Sequence, residues 1–516
     1  MRERRLPTLL VLGMMLAALM GSVLGQSEPR YGGRLNVGME ADPPALDMHF
    51  SNHNLVRFVA DHMYEQLFTL DSDFRPIPVL AEGYAISDDG TVYTFTIRQG
   101  VRFHNGQELT SADVVASLDR WLAMSSSATP VRDNVVSVEA TDEYTVVMTL
   151  ERSMGYLLSA LTTRRAGAVI YPREVVEATP EGEPIVSFIG TGPFELVEWR
   201  EGNYVLLQRY EDYSPVELEP SGYGGRNTAY LDEIRFNVVP DASVRLLGLE
   251  AGDFHYADPL SNDDYARIEE NPDLLPVLFP WMMNVSLNLE GGLTADLDIR
   301  RAILAATDGE ELLFGVHGDP FFWRLDPAFM WQETAWWSDA GAELYNQADP
   351  ERARQILEEA GYDGTPLHLV VSATQRPHYD ASLILRQQLE QAGFNVRVEE
   401  FDLATHRQII NDPARWEVTT RQSSYRDHPL MHLHIDGNYS GWWRHDEKDA
   451  LIEQLFDEPD PDAALAIWER IQELHYEDIP MIKVGDFFRF GAVSANLHGF
   501  DTSIPEPFFW NAWLAE

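Results

Sequence analysis

The sequence predicts an α/β protein of two or three domains, and three observations point to this fold class. The chain has 516 residues, of which 45% are hydrophobic and 11% aromatic, a globular composition at a length that can bury substantial cores. Strand and helix patterns alternate along the chain without a repeat of fixed period. In the second half two apolar strands flank a helix, and this βαβ arrangement predicts a parallel sheet.

A strand, a turn and a capped helix are the first clear elements. Apolar residues alternate with polar ones over 93–97, after a turn at 87–90, which predicts a half-buried strand. Thr110 followed by Asp113 is a helix-capping pattern, and an apolar helical face comes after it. His104 lies among these elements without a basic or nucleophilic neighbour in sequence. We therefore predict a structural role for His104 rather than a catalytic one.

The middle of the chain adds a hairpin, a helix and a long loop. Residues 190–210 have the pattern of a hairpin. A helix follows that is capped by Asp241 and stopped near Gly252, and a short strand is predicted over 253–257. Residues 314–337 are rich in aromatic side chains and form a predicted loop that is too long to be only a connector.

The second half contains the βαβ unit on which the fold class depends. Its predicted elements are a helix at 349–361, a strand at 367–373, a helix at 379–392, a strand at 394–402, a helix at 462–475 and a final strand within 479–493. The final strand is placed to return to the first domain.

Charge and cysteine content exclude several classes of partner and site. Acidic residues number 83 against 38 basic ones, a formal charge of −45, which disfavours nucleic acids and anionic membrane surfaces as partners. The chain has no cysteine. It therefore has no disulfide, no thiolate metal site and no cysteine for lipid attachment.

The first 25 residues have the layout of a secretory signal peptide. Arg2, Arg4 and Arg5 form a basic start, an apolar run spans 9–20, and small residues precede Gln26. We predict cleavage after residue 25 and a periplasmic protein. An uncleaved membrane anchor is the alternative, because the apolar run with its flanks approaches the roughly 20 residues that span a bilayer.

Several segments together identify a family resemblance. They occur in family order and read PVLAEGYAISDDGTVYTFTIRQGVRFHNGQELTSADVVASL, GTGPFELVEW, YLDEIRFNVVPDASVRLLGLEAGDF, DIRRAILAATD and DPERARQILEEAGY. With them the chain resembles the solute-binding proteins of ATP-binding-cassette importers, in the dipeptide, oligopeptide and nickel cluster. The resemblance covers nearly all of the mature chain.

The resemblance implies a two-lobed periplasmic-binding-protein fold of type II, with mixed sheets flanked by helices and an extra subdomain in the first lobe. On this sequence lobe I would comprise 26–48, 175–280 and 486–516, the extra subdomain 49–174, and lobe II 281–485. The chain would cross the hinge near Trp281 and near Gly485.

The resemblance also implies transport rather than turnover. The lobes would close on a small-molecule solute, a peptide, a sugar or a chelated metal, and the closed form would be recognised by a membrane permease. We expect a monomer without a cofactor or catalytic residues, and a small peptide or peptide-like solute. Oligosaccharides and nickel complexes are the alternatives within the family.

Arg376 is the first candidate for solute recognition. In dipeptide-binding relatives an arginine in a similar Arg-Pro-Tyr segment faces the ligand's carboxylate, and here Arg376 is followed by Pro377, His378 and Tyr379. A guanidinium can grip a carboxylate with two parallel hydrogen bonds. We therefore predict Arg376, His378 and Tyr379 as ligand-binding residues. A surface ion pair is the alternative role for Arg376.

The segment from Arg421 to Tyr425 is the second candidate. Peptide-binding relatives place an aspartate here that pairs with the ligand's amino group, whereas this chain has Arg421, Gln422, Ser423, Ser424 and Tyr425. A buried ammonium without its counter-charge loses on the order of several kcal/mol. The departure favours a solute other than an ordinary peptide, such as a hydroxyl-rich one.

Aromatic and histidine side chains complete the set of candidates. Trp281 and Trp442 could stack on flat ligand groups, and core filling is the alternative role for each. His432 and His434, spaced by two, would share one face of a strand, which makes a nickel site conceivable with His428 nearby. Our prediction is nevertheless that no metal binds, because nothing in the sequence orients these rings.

Enzyme motifs are missing from the sequence. It contains no Gly-x-Ser-x-Gly elbow and no His-Glu-x-x-His, and neither of its two lysines completes a phosphate-binding loop. We predict that the protein is not an enzyme. A secreted hydrolase with two carboxylates remains the outside alternative, since such pairs are recognised only in space.

Overall fold

One long sheet runs through most of the protein. The computed structural model describes residues 28–501, 504 and 506–515, so the predicted signal peptide lies outside the described residues. The strands are β1 (Arg34–Met39), β2 (Phe68–Leu70), β3 (Pro76–Pro78), β4 (Ala81–Ile86), β5 (Val92–Ile97), β6 (Val135–Asp142), β7 (Thr145–Leu150), β8 (Phe194–Arg200), β9 (Tyr204–Arg209), β10 (Glu233–Val238), β11 (Tyr256–Asp258), β12 (Leu274–Leu287), β13 (Trp323–Arg324), β14 (Leu367–Ser372), β15 (Val396–Phe401), β16 (Val418–Ser424), β17 (Met481–Ser494), β18 (Leu497–His498) and β19 (Trp513–Leu514). The helices are α1 (Asn54–Ala60), α2 (Ser111–Met124), α3 (Thr129–Arg132), α4 (Leu157–Thr162), α5 (Arg173–Ala178), α6 (Ala242–Ala251), α7 (Tyr265–Glu269), α8 (Leu297–Ala306), α9 (Gly309–His317), α10 (Pro350–Glu359), α11 (Arg376–Gln391), α12 (Leu403–Ile409), α13 (Asp446–Asp457) and α14 (Pro461–Asp478).

The long sheet is mixed. Its order is β15-β14-β16-β12-β17-β11-β1-β10-β9-β8, and β13 also pairs with β17. Strand β14 is parallel to β15 and β16, and β1 is parallel to β10 and β11, whereas the other pairs are antiparallel. The parallel pair β14 and β15, joined by α11, confirms the predicted βαβ unit.

Strands β12 and β17 connect the two ends of this sheet. Each has 14 residues, and they pair with each other from Leu274 opposite Ser494 to Ser286 opposite Met481. At one end β17 pairs with β11, and at the other end β12 pairs with β16. Both positions predicted as hinge crossings, Trp281 and Gly485, lie on these two strands.

A separate four-stranded antiparallel sheet, in the order β4-β5-β7-β6, lies within residues 49–174. Helix α2 covers this sheet and buries Leu118 and Trp121 in its core. The helix starts where the sequence predicts, because the Asp113 carboxylate accepts hydrogen bonds from both the backbone N–H and the hydroxyl of Thr110, at 2.9 and 2.8 Å. This region therefore has a core of its own.

Most predicted elements are confirmed, and one prediction is partly wrong. The hairpin of 190–210 is β8 and β9, and the helix capped by Asp241 is α6, which ends at Gly252. The long loop predicted over 314–337 instead begins inside α9 and contains β13. Its short strand becomes ordered because it pairs with β17, a partner that is distant in sequence.

His104 connects two segments of the backbone. Its Nδ1 accepts a hydrogen bond from the Gly190 N–H at 3.2 Å, and its Nε2 donates to the Gly192 carbonyl at 3.0 Å. The ring lies edge-on to Tyr210, with 4.9 Å between ring centroids. Burial lowers the pKa of His104 to about 4, so the imidazole is neutral near pH 7. These contacts support the predicted structural role.

Replacing His104 with alanine is expected to destabilise the protein at pH 7.5 by about 1–3 kcal/mol, because two backbone groups lose their partner. The folded-state pKa is below the ordinary value of 6.5, so protons favour the unfolded chain. The wild type therefore loses this histidine's contribution as the pH falls from about 6.5 to about 4, and the deficit of His104→Ala should shrink over the same range. Urea unfolding at several pH values measures this change. Weaker solute binding at an unchanged unfolding midpoint would instead show a functional role.

Candidate functional site

Two cavities meet at Trp281 and Ser424, which are paired residues on β12 and β16. About 730 Å³ in and around the first cavity and about 880 Å³ in and around the second are free of protein atoms, open solvent included. Trp281 and Ser424 line both cavities. The two cavities therefore adjoin each other, separated by these side chains, and we call them together the crevice.

Segments from both ends of the long sheet line the first cavity. One side consists of helix α1, the turn at 258–259 and residues 506–508, all close to β11 or the C-terminus. The other side consists of Ser424 and Tyr425 at the end of β16. A molecule in this cavity would touch segments from both ends of the long sheet.

Ion pairs fix two of the arginines that line the first cavity. Arg57 donates two hydrogen bonds to the Glu506 carboxylate, one of them 2.6 Å long. Arg489 binds the carboxylate of Asp258. The charges of these two cations are thus balanced within the protein.

Arg165 lines the same cavity without such a balance. Its Nη2 donates to the Ser424 hydroxyl at 2.7 Å, and no carboxylate of the described residues lies within the 4.0 Å of an ion pair. Burial, together with repulsion from Arg57 and Arg426, lowers the pKa of Arg165 to about 9. Among the described residues, therefore, no carboxylate neutralises the positive charge of Arg165 by direct contact.

The second cavity has a positive and hydroxyl-rich lining. Arg421 and Arg426 line it, and the set of lining residues contains no aspartate or glutamate. Arg421 donates from Nη1 to the Tyr439 hydroxyl at 3.0 Å and from Nη2 to the Ser440 hydroxyl at 2.7 Å. These two bonds orient its guanidinium at the cavity wall.

Several buried donors around the crevice have no acceptor. They are Nε of Arg421, Nε2 of Gln422, the Tyr425 hydroxyl and Nε1 of Trp331. A buried polar group without a partner costs about 1–3 kcal/mol. Rotation of these side chains toward the cavities would let them donate to a ligand that brings oxygen acceptors.

The histidines near the crevice lie in a different conformation from the predicted one. Residues 429–431 and 433–435 form 3-10 turns, so the strand predicted for His432 and His434 is wrong. Burial lowers the pKa of His432 to about 3 and that of His434 well below its ordinary value. Among residues 28–501, 504 and 506–515, no group of three or more His, Asp or Glu side chains could hold a metal ion.

The contacts beside the crevice also include a close approach between 152–156 and 456–458. The Tyr156 N–H donates to the Phe456 carbonyl at 3.1 Å, and Arg152 pairs with Asp457 at 2.9 Å. At Gly155 an added Cβ would overlap the backbone carbonyl of Glu458. The extra sheet region and helix α13 therefore touch through main-chain atoms on this side.

Five of the predicted site residues line the crevice. They are Trp281, Arg421, Gln422, Ser423 and Tyr425. They come together because β16 pairs with β12, with Trp281 opposite Ser424 and Asn284 opposite Arg421. Sequence reasoning missed Arg57, Arg165 and Arg426. Of these three, only Arg426 could have been found from the sequence, since it directly follows Tyr425 in the second candidate segment.

Arg376 lies outside the crevice. It is the first residue of α11, its side chain is 81% exposed, and its Nε donates to Asp380 at 2.7 Å, one helical turn later. It lines neither cavity. The surface ion pair that the sequence left open as an alternative is the contact that the structure contains.

His378, Tyr379 and Trp442 also line neither cavity. The Tyr379 hydroxyl donates to Glu400 at 3.1 Å, and burial lowers the pKa of His378 to about 4. Trp442 packs against Trp416, with 6.2 Å between ring centroids. Their predicted ligand contacts would require a rearrangement of these neighbours.

Comparison with known proteins finds relatives that are binding proteins for solutes. The family model of the bacterial extracellular solute-binding proteins, family 5 middle region, matches residues 75–434. The y4tO protein of Sinorhizobium fredii, named "Probable peptide ABC transporter periplasmic-binding protein", is 27% identical over 474 residues, 87% of each chain. The glutathione-binding protein GsiB of Salmonella typhimurium is 26% identical over 484 residues, 88% of this chain and 89% of GsiB.

A solved structure supports the fold. The oligopeptide-binding protein AppA of Bacillus subtilis, in complex with a nonapeptide, superposes with a TM-score of 0.73 at 23% identity. The match covers 95% of this chain and 100% of AppA. The predicted two-lobed periplasmic-binding-protein fold with mixed sheets is therefore confirmed.

Proposed function

We propose, from the premise that the chain belongs to the bacterial extracellular solute-binding proteins of family 5, that it is the periplasmic receptor of an ATP-binding-cassette importer. It captures a small peptide or peptide-like solute in the crevice and delivers it to the membrane permease. The observation that carries this proposal is the crevice itself. Arg57 on α1 and Tyr425 at the end of β16 line one cavity, although they belong to opposite ends of the long sheet.

The mechanism is closure of two lobes on the solute. Following the boundaries predicted from the sequence, we assign Arg489 and residues 506–508 to lobe I, α1 to the extra subdomain of lobe I, and β16 to lobe II. A solute that contacts both lobes stabilises the closed arrangement, because only that arrangement allows all of the contacts at once. The family binds solutes rather than converting them, and no covalent step is required of any side chain.

A peptide-like solute is supported by the relatives and by the donors of the crevice. One relative is named for peptide transport and another for glutathione binding. The unpartnered donors of Gln422 and Tyr425 match the carbonyl oxygens of a peptide backbone. We further propose that the mature protein begins after a cleaved signal peptide and acts as a monomer.

The test is a thermal-shift screen of the mature protein against defined tripeptides to pentapeptides, oligosaccharides and chelated nickel. We expect saturable stabilisation by peptides, which amounts to about 2.7 kcal/mol at a concentration 100 times the Kd. Mass spectrometry should recover the stabilising peptide unchanged. Stabilisation by sugars alone would redirect the proposal to an oligosaccharide receptor, and conversion of the bound compound would contradict the transport role.

A further inference from the structure

We propose that the second cavity is the subsite for a carboxylate, or another planar oxyanion, of the solute, held by Arg421 and Arg426. The inference rests on the proposed function, since it assumes that the solute occupies the crevice. It adds the chemical class of one end of the solute and names the residues that recognise it.

The first argument is charge balance. The chain has a formal charge of −45, yet the second cavity is lined by two arginines and by no acidic residue. The first cavity, by contrast, is lined by four carboxylates as well as three arginines, and the carboxylates are those of Glu40, Asp61, Asp258 and Glu506. A buried charge without a counter-charge destabilises the folded protein. A carboxylate of the solute would supply the charge that the cavity wall lacks.

Asp427 is the acidic residue nearest in sequence, and it does not neutralise this cavity by contact. It is not among the lining residues, and it forms no ion pair with Arg426 within 4.0 Å. Burial and repulsion by Glu506 raise the pKa of Asp427, and its carboxylate attracts Arg426 only at longer range, without contact. The positive charge of Arg426 therefore remains available at the cavity.

Hydrogen bonding gives a second, independent argument. Tyr439 and Ser440 accept from the Nη atoms of Arg421, which leaves its Nε as a buried donor without an acceptor. Asn284 and Ser423 add an amide and a hydroxyl to the wall. Since Nη1 and Nη2 each keep one further N–H, this guanidinium, held in a fixed orientation, can offer two parallel donors to an oxyanion with two oxygens in a plane.

The imidazoles of the cavity do not change this conclusion. His432 and His434 line the second cavity, and burial keeps both pKa values far below neutral pH. Both imidazoles are therefore neutral near pH 7, and the formal charge of the cavity comes from the two arginines. Trp281 and Trp443 provide flat apolar faces beside them.

The experiment compares probes that differ only in the carboxylate. The peptide pair is trialanine as the free acid and as its C-terminal amide, and the small pair is malonate and malonamide. The proteins are the wild type, Arg421→Gln, Arg426→Gln and, as a matched control, Arg376→Gln, whose arginine is 81% exposed and lines neither cavity. Calorimetry or thermal shift measures each affinity.

We expect the wild type to bind the acid at least about tenfold more tightly than the amide, as for a buried charge pair. Malonate should bind and malonamide should not. Arg421→Gln and Arg426→Gln should each lose the preference for the acid, whereas Arg376→Gln should keep it. The preference in the wild type is informative even if one variant does not fold.

The remaining outcomes separate this inference from the proposed function. Malonate binding that depends on the two arginines, without any peptide binding, would support the anion subsite and contradict the peptide proposal. Equal affinities for the acid and the amide, or a preference that survives in Arg421→Gln and Arg426→Gln, would overturn the anion subsite alone. Failure of every probe to bind would overturn both.

Discussion

Replacing Gly155 with valine is expected to weaken solute binding by on the order of 100-fold or more while the protein remains folded, because solute contacts with both lobes would no longer form together. Any Cβ at residue 155 overlaps the backbone carbonyl of Glu458, and it would lie 2.8 Å from the nitrogen of Pro459. The atoms in the way belong to the main chain that follows helix α13, in the proposed lobe II, so rotation of a side chain cannot relieve the overlap.

The fold should tolerate this substitution for two reasons. Gly155 does not have a left-handed backbone conformation, which valine would avoid, and the atoms nearest to an added Cβ belong to Glu458 and Pro459, in the proposed lobe II. The ion pair of Arg152 with Asp457, next to it, is about half exposed on each side and contributes little. Steric exclusion at Gly155 is therefore the dominant effect on closure.

The measurement is the affinity for the peptide that stabilises the wild type in the screen, together with the melting temperature of the free protein. Gly83→Val is the matched control, because an added Cβ at Gly83, in β4, meets no atom within 4 Å. The control should bind as the wild type does. Normal affinity in Gly155→Val would show that this contact is not part of the closed arrangement.

Replacing Trp281 with alanine is expected to lower the affinity by about 3 kcal/mol, roughly 100-fold, with a smaller change in stability. Trp281 lines both cavities, so its indole borders whatever occupies either of them. Its ring lies 6.2 Å from that of Phe487 on β17, which holds it at the junction. Truncation would merge the two cavities and remove a large apolar contact surface.

Trp442→Ala is the control for this second prediction. Trp442 packs against Trp416 and lines neither cavity, so calorimetry should find its affinity unchanged. An equal loss of affinity in both variants would mean that the ligand extends toward Trp442, as the sequence first suggested. Unchanged affinity in Trp281→Ala would remove the junction of the two cavities from the binding site.

Local patterns in the sequence predict elements, and the family resemblance predicts how they assemble. The pairing of Thr110 with Asp113 and the stop at Gly252 follow from side chains that are neighbours in the chain. The segment from Arg421 to Tyr425 was found because it departs from the family pattern at the end of a predicted strand. Both kinds of observation need only short stretches of sequence.

The rest of the crevice depends on contacts between distant segments. Arg57 meets Glu506 across 449 positions, and Arg165 meets Ser424 across 259. No local pattern reports such pairs. Arg376 shows the opposite case: its place after a strand predicted a position in the crevice, whereas in this structure its side chain pairs at the surface with Asp380, four residues later on the same helix.

The most direct test of the central proposal measures the distance between the lobes in solution. The chain has no cysteine, so Asp133→Cys and Glu453→Cys, at exposed positions in the extra subdomain and lobe II, can be spin-labelled without other changes. We expect a broad distribution of distances in the free protein, and a shorter, narrow one at saturating peptide. An identical distribution with and without the bound peptide would contradict closure of two lobes on the solute.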